Sequence, residues 1–118
     1  MTHEKLIEHC LSYPGSYEDY PFRDKSWTAM RYGEKGKCFA FIFERKGRLC
    51  VNLKCDPIKS DFLRRVFNDV TPAYHMDKTH WNTVALNGDV YIDEVFDMIS
   101  DSYFLIKHEK RKRGEEYE

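Results

Sequence analysis

The side chains best suited to chemistry lie together in one segment, AYHMDKTHWNTV, residues 73–84. It contains two imidazoles, His75 and His80, and one carboxylate between them, Asp77. Imidazole and carboxylate groups are zinc ligands in proteins, and an imidazole also acts as a general base in many enzymes. Three interpretations of the segment are therefore open: a metal site, an active site, or a structural junction of the fold.

The spacing of these residues argues against the first two interpretations. His75 and His80 are five residues apart across a predicted turn, and a zinc site needs a tetrahedral set of ligands that the segment lacks. No G-x-S-x-G motif is present, and no motif links any of the four cysteines to a histidine base. We therefore expect neither enzymatic activity nor a bound metal or cofactor.

A structural junction is the interpretation that the residue types favour. Trp81 is expected to be largely buried near the core, while Thr79, Asn82 and Thr83 satisfy backbone groups at the start of a strand. Because His80 and Asn82 would share one face of that strand, a ligand-facing role on an open side of the sheet is the alternative.

Charge is unevenly distributed along the chain, although the net charge is only −1. Residues 23–65 carry twelve Lys and Arg against five acids, a net +7, whereas residues 66–106 carry one Lys against seven acids, a net −6. The basic segment includes two predicted hairpin turns. The candidate phosphate-binding residues at and beside these turns are Lys35, Lys37, Arg45, Lys46, Arg48 and Lys54.

Two functions are compatible with this pattern. Basic hairpin tips would bind the phosphates of duplex DNA weakly and without sequence preference. However, the pI of about 6.5 lies below the value above about 9 that is typical of a DNA-binding domain. The alternative is a protein-interaction or chaperone-like module without nucleic-acid binding, which an exposed apolar patch would favour.

A weaker hypothesis concerns an acidic stripe near the C-terminus. Asp93, Asp97 and Asp101 are spaced by four residues on a predicted helix. A hard cation needs several oxygen ligands at one point, whereas this spacing spreads the carboxylates along the helix, so cation binding here is disfavoured.

Hydrophobic spacing predicts the element order α-β-β-β-α-β-α. The predicted fold class is therefore α+β: a two-layer α/β sandwich with an antiparallel sheet and helices on one side. Alternation places Phe39, Phe41 and Phe43 on the core face of the second strand. The second helix is expected to begin with Asp56 as its N-cap and Pro57 in its first turn. Residues 1–110 would form one domain and the charged residues 111–118 a frayed tail. The residues expected to be mostly buried are Phe39, Phe41, Val51, Leu53, Phe62, Val66, Ile99 and Ile106, with Ile58 and Leu63 on the same helix stripe as Phe62.

Five separated motifs carry a resemblance to a known family. In chain order they are PGSYEDYPF, GKCFAFI, LKCDP, TPAYHMDKTHWNTV and ISDSYFLI, and this set resembles the MmcQ/YjbR family from about Leu6 to Lys107. One departure is Arg23, which follows Phe22 where the family usually has glycine.

The resemblance implies a fold like that of frataxin and of type III secretion chaperones, and DNA binding through a double-wing arrangement. The residues of the family signature, which we expect to be structural, are His75, His80, Trp81, Asn82 and Thr83.

The location of the protein is predicted from its polarity. The longest apolar run, CFAFIF at residues 38–43, is too short to cross a membrane, and the N-terminal residues are polar and amphipathic. We therefore expect a cytoplasmic protein with reduced cysteines and no membrane partner.

Overall fold

The structure is a computed structural model that describes residues 1–109, so the predicted tail at 111–118 lies outside the described residues. These residues form three helices and six strands. The elements are α1 (His3–Leu11), β1 (Ser16–Asp19), β2 (Thr28–Tyr32), β3 (Lys37–Arg45), β4 (Arg48–Lys54), α2 (Pro57–Val66), β5 (Val70–Pro72), β6 (Trp81–Ala85) and α3 (Ile92–Lys107).

The sheet confirms the predicted α+β class. Its six strands are all antiparallel, in the order β1-β2-β3-β4-β6-β5, and all three helices contribute to a single hydrophobic core. None of the described helices is long and apolar enough to cross a membrane.

Two short edge strands, β1 and β5, are absent from the predicted order. The sequence of β1, SYED, lacks the alternation of apolar residues that identifies a half-buried strand. The sequence of β5, VTP, is three residues long and ends in proline, which is tolerated in a sheet only at an edge. Both strands are therefore defined by pairing with a neighbour and not by a pattern of their own.

A β-bulge in β3 decides which side chains reach the core. Met30 of β2 pairs with Ala40, but the next residue, Arg31, pairs with Cys38, so Phe39 is an extra residue in β3. As a result the consecutive residues Phe39 and Ala40 both belong to the core beneath the helices. A bulge of this kind interrupts the regular alternation of a strand.

The bulge overturns the expectation that Phe39, Phe41 and Phe43 share the core face. Phe39 is fully buried and packs its ring against Tyr103 of α3, with a centroid distance of 5.3 Å. Phe41 and Phe43 instead point to the face of the sheet that carries no helix. Phe41 is only half-buried there, whereas Phe43 is 1% exposed because other aromatic rings cover it.

Helix α2 also differs from its prediction, although its start is as expected. Asp56 is the N-cap and accepts hydrogen bonds from the backbone N–H groups of Ile58 and Lys59, and Pro57 occupies the first turn. However, the helix buries Ser60 and Leu63, whereas Ile58, Phe62 and Val66 are exposed. An amphipathic period shows that a helix has an apolar face, but not that its own fold covers that face.

We predict that Phe39 and Phe41 contribute unequally to stability. Replacing Phe39 with Ala should lower the free energy of unfolding by about 3–5 kcal/mol, because it leaves a cavity in the core. Replacing Phe41 with Ala should cost clearly less, since its ring lies on the half-exposed face. Urea denaturation of both variants measures the difference, and equal losses would contradict the assignment of Phe41 to the helix-free face.

Candidate functional site

The helix-free face of the sheet carries a track of aromatic rings. The Trp27 ring stacks on Phe43, with centroids 4.1 Å apart and planes 5° from parallel. Phe41 lies between the two tryptophans, 5.9 Å from Trp27 and 6.1 Å from Trp81, and Tyr74 lies 6.3 Å from Trp27. We call Tyr74, Trp27, Phe41 and Trp81 the aromatic track. All four side chains are half-buried, so each presents part of its ring to solvent.

Buried hydrogen bonds hold the 73–80 loop against this face. Thr83 Oγ1 accepts a hydrogen bond from the Tyr74 N–H at 2.8 Å and donates one to Asn52 Oδ1. Asn52 Nδ2 in turn donates to the Tyr74 carbonyl at 2.9 Å. These three residues form a closed circuit that places the Tyr74 ring over the sheet, because Asn52 and Thr83 are buried partners in adjacent strands.

Asn82 lies on the opposite face from this circuit. Its Oδ1 accepts hydrogen bonds from Ser60 Oγ at 2.8 Å and from Arg64 Nε at 2.6 Å, and its side chain is 2% exposed. Asn82 therefore joins β6 to α2 and does not face a ligand on the open side.

His75 and His80 contact different residues of the loop. His75 has a φ of 61° and lies against Tyr74, with ring centroids 3.9 Å apart. The His80 Nδ1 and Asp77 Oδ2 atoms are 2.7 Å apart, and this hydrogen bond lowers the pKa of the Asp77 carboxyl. Within residues 1–109, no group of three or more His, Cys, Asp or Glu side chains is placed to hold a metal ion.

The six candidate basic residues divide between two ends of the sheet. The β2–β3 and β3–β4 hairpins share β3, so their turns lie at opposite ends of that nine-residue strand. At about 3.3 Å per residue, the two turns are roughly 25 Å apart. Lys35, Lys37 and Lys54 lie at one end, and Arg45, Lys46 and Arg48 at the other.

At the β3–β4 turn, two of the three basic side chains meet the helix-free face or solvent. The Arg45 guanidinium carbon lies 4.2 Å from the centroid of the Tyr74 ring, a cation–π arrangement that extends the aromatic track. Lys46 and Gly47 have φ values of 53° and 75°, as in a type I′ turn, and the Lys46 side chain is exposed.

Arg48 is held by a carboxylate, unlike its two neighbours at this turn. It donates two hydrogen bonds to Asp69, at 2.8 and 3.1 Å, and one to the Leu86 carbonyl at 3.0 Å. The Arg48 contact, with a further hydrogen bond from the Asp89 backbone, lowers the pKa of Asp69 to about 2. A Cβ atom at Gly88 would lie 1.8 Å from Asp69 Oδ2, so this ion pair requires glycine there.

At the opposite end, a single acid neutralises two of the candidate lysines. Lys37 and Lys54 each place Nζ 3.3 Å from a carboxylate oxygen of Glu109. Although partial burial favours the neutral acid, the two lysines outweigh it and lower the pKa of Glu109. Lys35 is exposed in the turn at 33–36. In the acidic stripe of α3, Asp101 is likewise paired, because it forms an ion pair with Lys59.

The prediction from sequence missed the central residues of this face. Trp27 and Tyr74 were not among the candidate residues, and Trp81 is half-buried where a largely buried side chain was expected. Tryptophan and tyrosine beside a strand end are equally typical of a core, so composition alone gives no signal of an exposed track. The helpful signal is the proximity of Trp27 to the basic residues Arg23 and Lys25 in the same loop.

Comparison with known proteins agrees with the family resemblance of the five sequence motifs. A family model described as YjbR matches residues 11–105. The chain belongs to the YjbR family. It is 31% identical over 116 residues to the YjbR protein of Escherichia coli K12, which covers 95% of this chain and 96% of that protein. It is also 30% identical over 118 residues to YyaQ of Bacillus subtilis 168, covering 91% of this chain and 99% of the relative.

Solved structures of similar proteins share the fold. The crystal structure of the Deinococcus radiodurans protein DR2400 superposes with a TM-score of 0.84 at 29% identity, covering 97% of this chain and 84% of that one. A Pseudomonas syringae protein gives a TM-score of 0.80 at 26% identity, covering 90% of this chain and 99% of the other. These two proteins therefore have the same arrangement of sheet and helices as this chain.

We predict that the Asn52–Thr83–Tyr74 circuit stabilises the fold, and an isosteric substitution of Thr83 tests this. Replacing Thr83 with Val should lower the free energy of unfolding by about 1–3 kcal/mol, because it leaves buried polar groups of Asn52 and Tyr74 without partners. Thr71 pairs with Thr83 from β5 and is exposed, so Thr71→Val is the matched control and should change stability by less than about 0.5 kcal/mol. Equal effects in a thermal denaturation series would show that the circuit contributes nothing.

We also predict a pH dependence from the Arg48–Asp69 pair. Because the pKa of Asp69 is lower in the folded chain than in the unfolded chain, the pair stabilises the fold above about pH 4. This contribution is lost as the pH falls towards 2. Asp69→Asn should therefore be less stable than the parent at pH 6, and the difference should shrink in denaturation curves between pH 4 and 2. A difference that stays constant over this range would contradict the assignment.

Proposed function

We propose that this chain binds single-stranded nucleic acid on the helix-free face of its sheet and catalyses no reaction. The observation that carries the proposal is the aromatic track, with the Arg45 guanidinium stacked on its first ring. Proteins that bind single strands without sequence preference combine rings on which bases stack with cations that contact phosphates.

The spacing within the aromatic track suits successive bases. Neighbouring ring centroids are 5.9 to 6.3 Å apart from Tyr74 through Trp27 and Phe41 to Trp81. Each of the four side chains is half-buried, so part of its surface remains accessible to solvent. Stacking of one base on one ring contributes roughly 1–3 kcal/mol, and it tolerates any base because every base has a π-face.

The positive charge is concentrated at one end of the track. Arg45 and Lys46 lie at the β3–β4 turn, and the loop carrying Arg23 and Lys25 enters β2 at this same end of the sheet, where Thr28 pairs with Ile42. All four basic side chains are exposed. Their phosphate contacts would release counterions, so affinity should fall as salt is raised.

Duplex binding by two hairpin wings receives less support from the geometry. The two turns are at opposite ends of β3, and Lys37, Lys54 and Arg48 are paired with carboxylates. Phosphate binding by these three residues would first require breaking those ion pairs. The half-buried rings of the aromatic track would also find no stacking partner on the outside of a duplex.

A binding role without catalysis agrees with the state of the thiols. Burial raises the pKa of Cys10 and of Cys38 to about 12, so both remain protonated at neutral pH. Only the thiolate form is a strong nucleophile.

We predict that base stacking and phosphate contacts contribute separately to the affinity for single-stranded nucleic acid, and two sets of variants distinguish them. Fluorescence anisotropy with labelled oligothymidylate should show Trp81→Ala weakening binding about 5- to 150-fold, the equivalent of the stacking of one base on one ring. Arg45→Gln with Lys46→Asn should flatten the salt slope by about 0.7 for each phosphate that the variant no longer neutralises. Asparagine is favoured in a type I′ turn, so this double change removes charge without disturbing the hairpin.

The controls decide which interpretation holds. Lys5→Gln removes an exposed charge from α1, on the opposite side of the sheet, and should leave affinity unchanged. A duplex of the same length should bind more weakly than the single strand. Unchanged oligothymidylate binding by folded Trp81→Ala would refute the stacking site. Preferential binding of the duplex, weakened by Lys35→Gln, would support the double-wing arrangement instead.

Association with another protein is the second candidate function, and a different surface favours it. Helix α2 exposes Ile58, Phe62 and Val66 on the helical side of the molecule, away from the aromatic track. Contiguous apolar surface of this kind is typical of an interaction site.

A further inference from the structure

Helix α2 presents a narrow apolar stripe to solvent. Ile58 is 83% exposed, Phe62 60% and Val66 52%. These residues are spaced by four, and with 3.6 residues per turn they form one row along the outer side of the helix. The inner side is occupied by Ser60 and Leu63, which are buried against the rest of the fold. Nothing else in residues 1–109 covers this row.

Two opposite charges run along one flank of the stripe. Asp61 and Arg65 precede Phe62 and Val66 by one residue each, so at about 100° per residue both project on the same side of the apolar row. Their side chains are 59% and 78% exposed and form an ion pair of 2.8 Å within the helix. The other flank carries Lys59, which is held by Asp101 of α3.

We propose that two copies of this chain associate through α2, with the helices antiparallel about a two-fold axis at Phe62. An interface of this symmetry needs one patch that is complementary to itself. With the axis at Phe62, Ile58 faces the partner's Val66, and Phe62 packs on the partner's Phe62. The apolar row therefore covers its own copy over its full length.

The charges are self-complementary in the same arrangement. In an antiparallel pair, the flank that carries Asp61 and Arg65 faces the same flank of the other helix. At a rise of about 1.5 Å per residue, Asp61 lies about 3 Å along the axis from the partner's Arg65. The reciprocal pair, Arg65 with the partner's Asp61, is equivalent by symmetry. The two Asp61 side chains also lie about 3 Å apart along the axis and repel each other, whereas the two Arg65 side chains are about 9 Å apart. Two close attractive contacts against one close repulsive contact leave the flank attractive overall, which is the reason to assign a second copy to this stripe in preference to an unrelated partner.

The interface does not depend on the proposed nucleic-acid site. Helix α2 belongs to the helical layer, so the dimer leaves the aromatic track of each subunit open. A contact centred on one ten-residue helix lies at the small end of specific interfaces. The association is therefore concentration-dependent, with monomer predominating in dilute solution.

We predict that charge reversal breaks the dimer and that mixing restores it. Sedimentation equilibrium should show the parent shifting from 14.2 kDa towards twice that mass as its concentration rises. Asp61→Arg alone places two arginines on each flank, and Arg65→Asp alone places two aspartates there. Each variant should remain monomeric because like charges then meet across the axis. An equimolar mixture should form a dimer, because every cross-subunit contact on this flank is then between an arginine of one variant and an aspartate of the other.

The mixing experiment separates this interface from an effect on the helix itself. Both single variants lose the same ion pair within α2, which contributes little to stability because it is exposed, and their melting curves verify that they fold. Phe62→Asp should abolish dimerisation in the parent. The proposal is overturned if the parent stays at 14.2 kDa up to about 1 mM, if the mixture stays monomeric, or if a dimer persists in Phe62→Asp.

Discussion

The extra residue in β3 is the constraint on which the two faces of this protein depend. Without the bulge at Phe39, strict alternation would send Phe39, Phe41 and Phe43 to the same side of the sheet. The bulge lets Phe39 enter the core while Phe41 and Phe43 cross to the helix-free face. The Phe39 carbonyl at this irregularity accepts a hydrogen bond from Ser102 Oγ at 2.6 Å, so α3 stabilises the bulge from the core side.

The two sides of the sheet therefore differ in what covers them. On one side, the three helices cover the hydrophobic core, and the outer surface of this layer includes the exposed apolar row of α2. The other side is covered in part by the 73–80 loop, which the Asn52–Thr83–Tyr74 circuit fixes in place. The basic ends of β3 are thus connected by aromatic rings and not by continuous positive charge. The ion pairs at Arg48 and Glu109 stabilise the fold and neutralise part of the positive charge at both ends of β3.

The parts of the fold that local patterns encode were predictable from sequence, and the long-range parts were not. The β3–β4 hairpin and the Asp56–Pro57 start of α2 follow from turn and capping chemistry, and both are as expected. The bulge has no sequence signature, because it arises from pairing with β2. Similarly, Arg48 was predicted as a phosphate ligand because its partner, Asp69, lies 21 residues away and only the folded chain brings them together. Asn82 and Thr83 of the family signature are adjacent in sequence, but their side chains make hydrogen bonds on opposite faces of the sheet. The alternation of side chains along a strand predicts this difference, whereas their membership of one motif does not.

The most direct test of the helix-free face as the ligand surface uses the two tryptophans of the chain as probes. Trp27 and Trp81 flank Phe41 from opposite sides, and each contributes one indole N–H resonance to a ¹H–¹⁵N correlation spectrum. During titration with oligothymidylate, both indole resonances should shift together, with saturation at the same ligand concentration. If both stay in place while amides of α2 or of the 33–36 turn shift, the helix-free face is not the binding surface and the central claim is wrong.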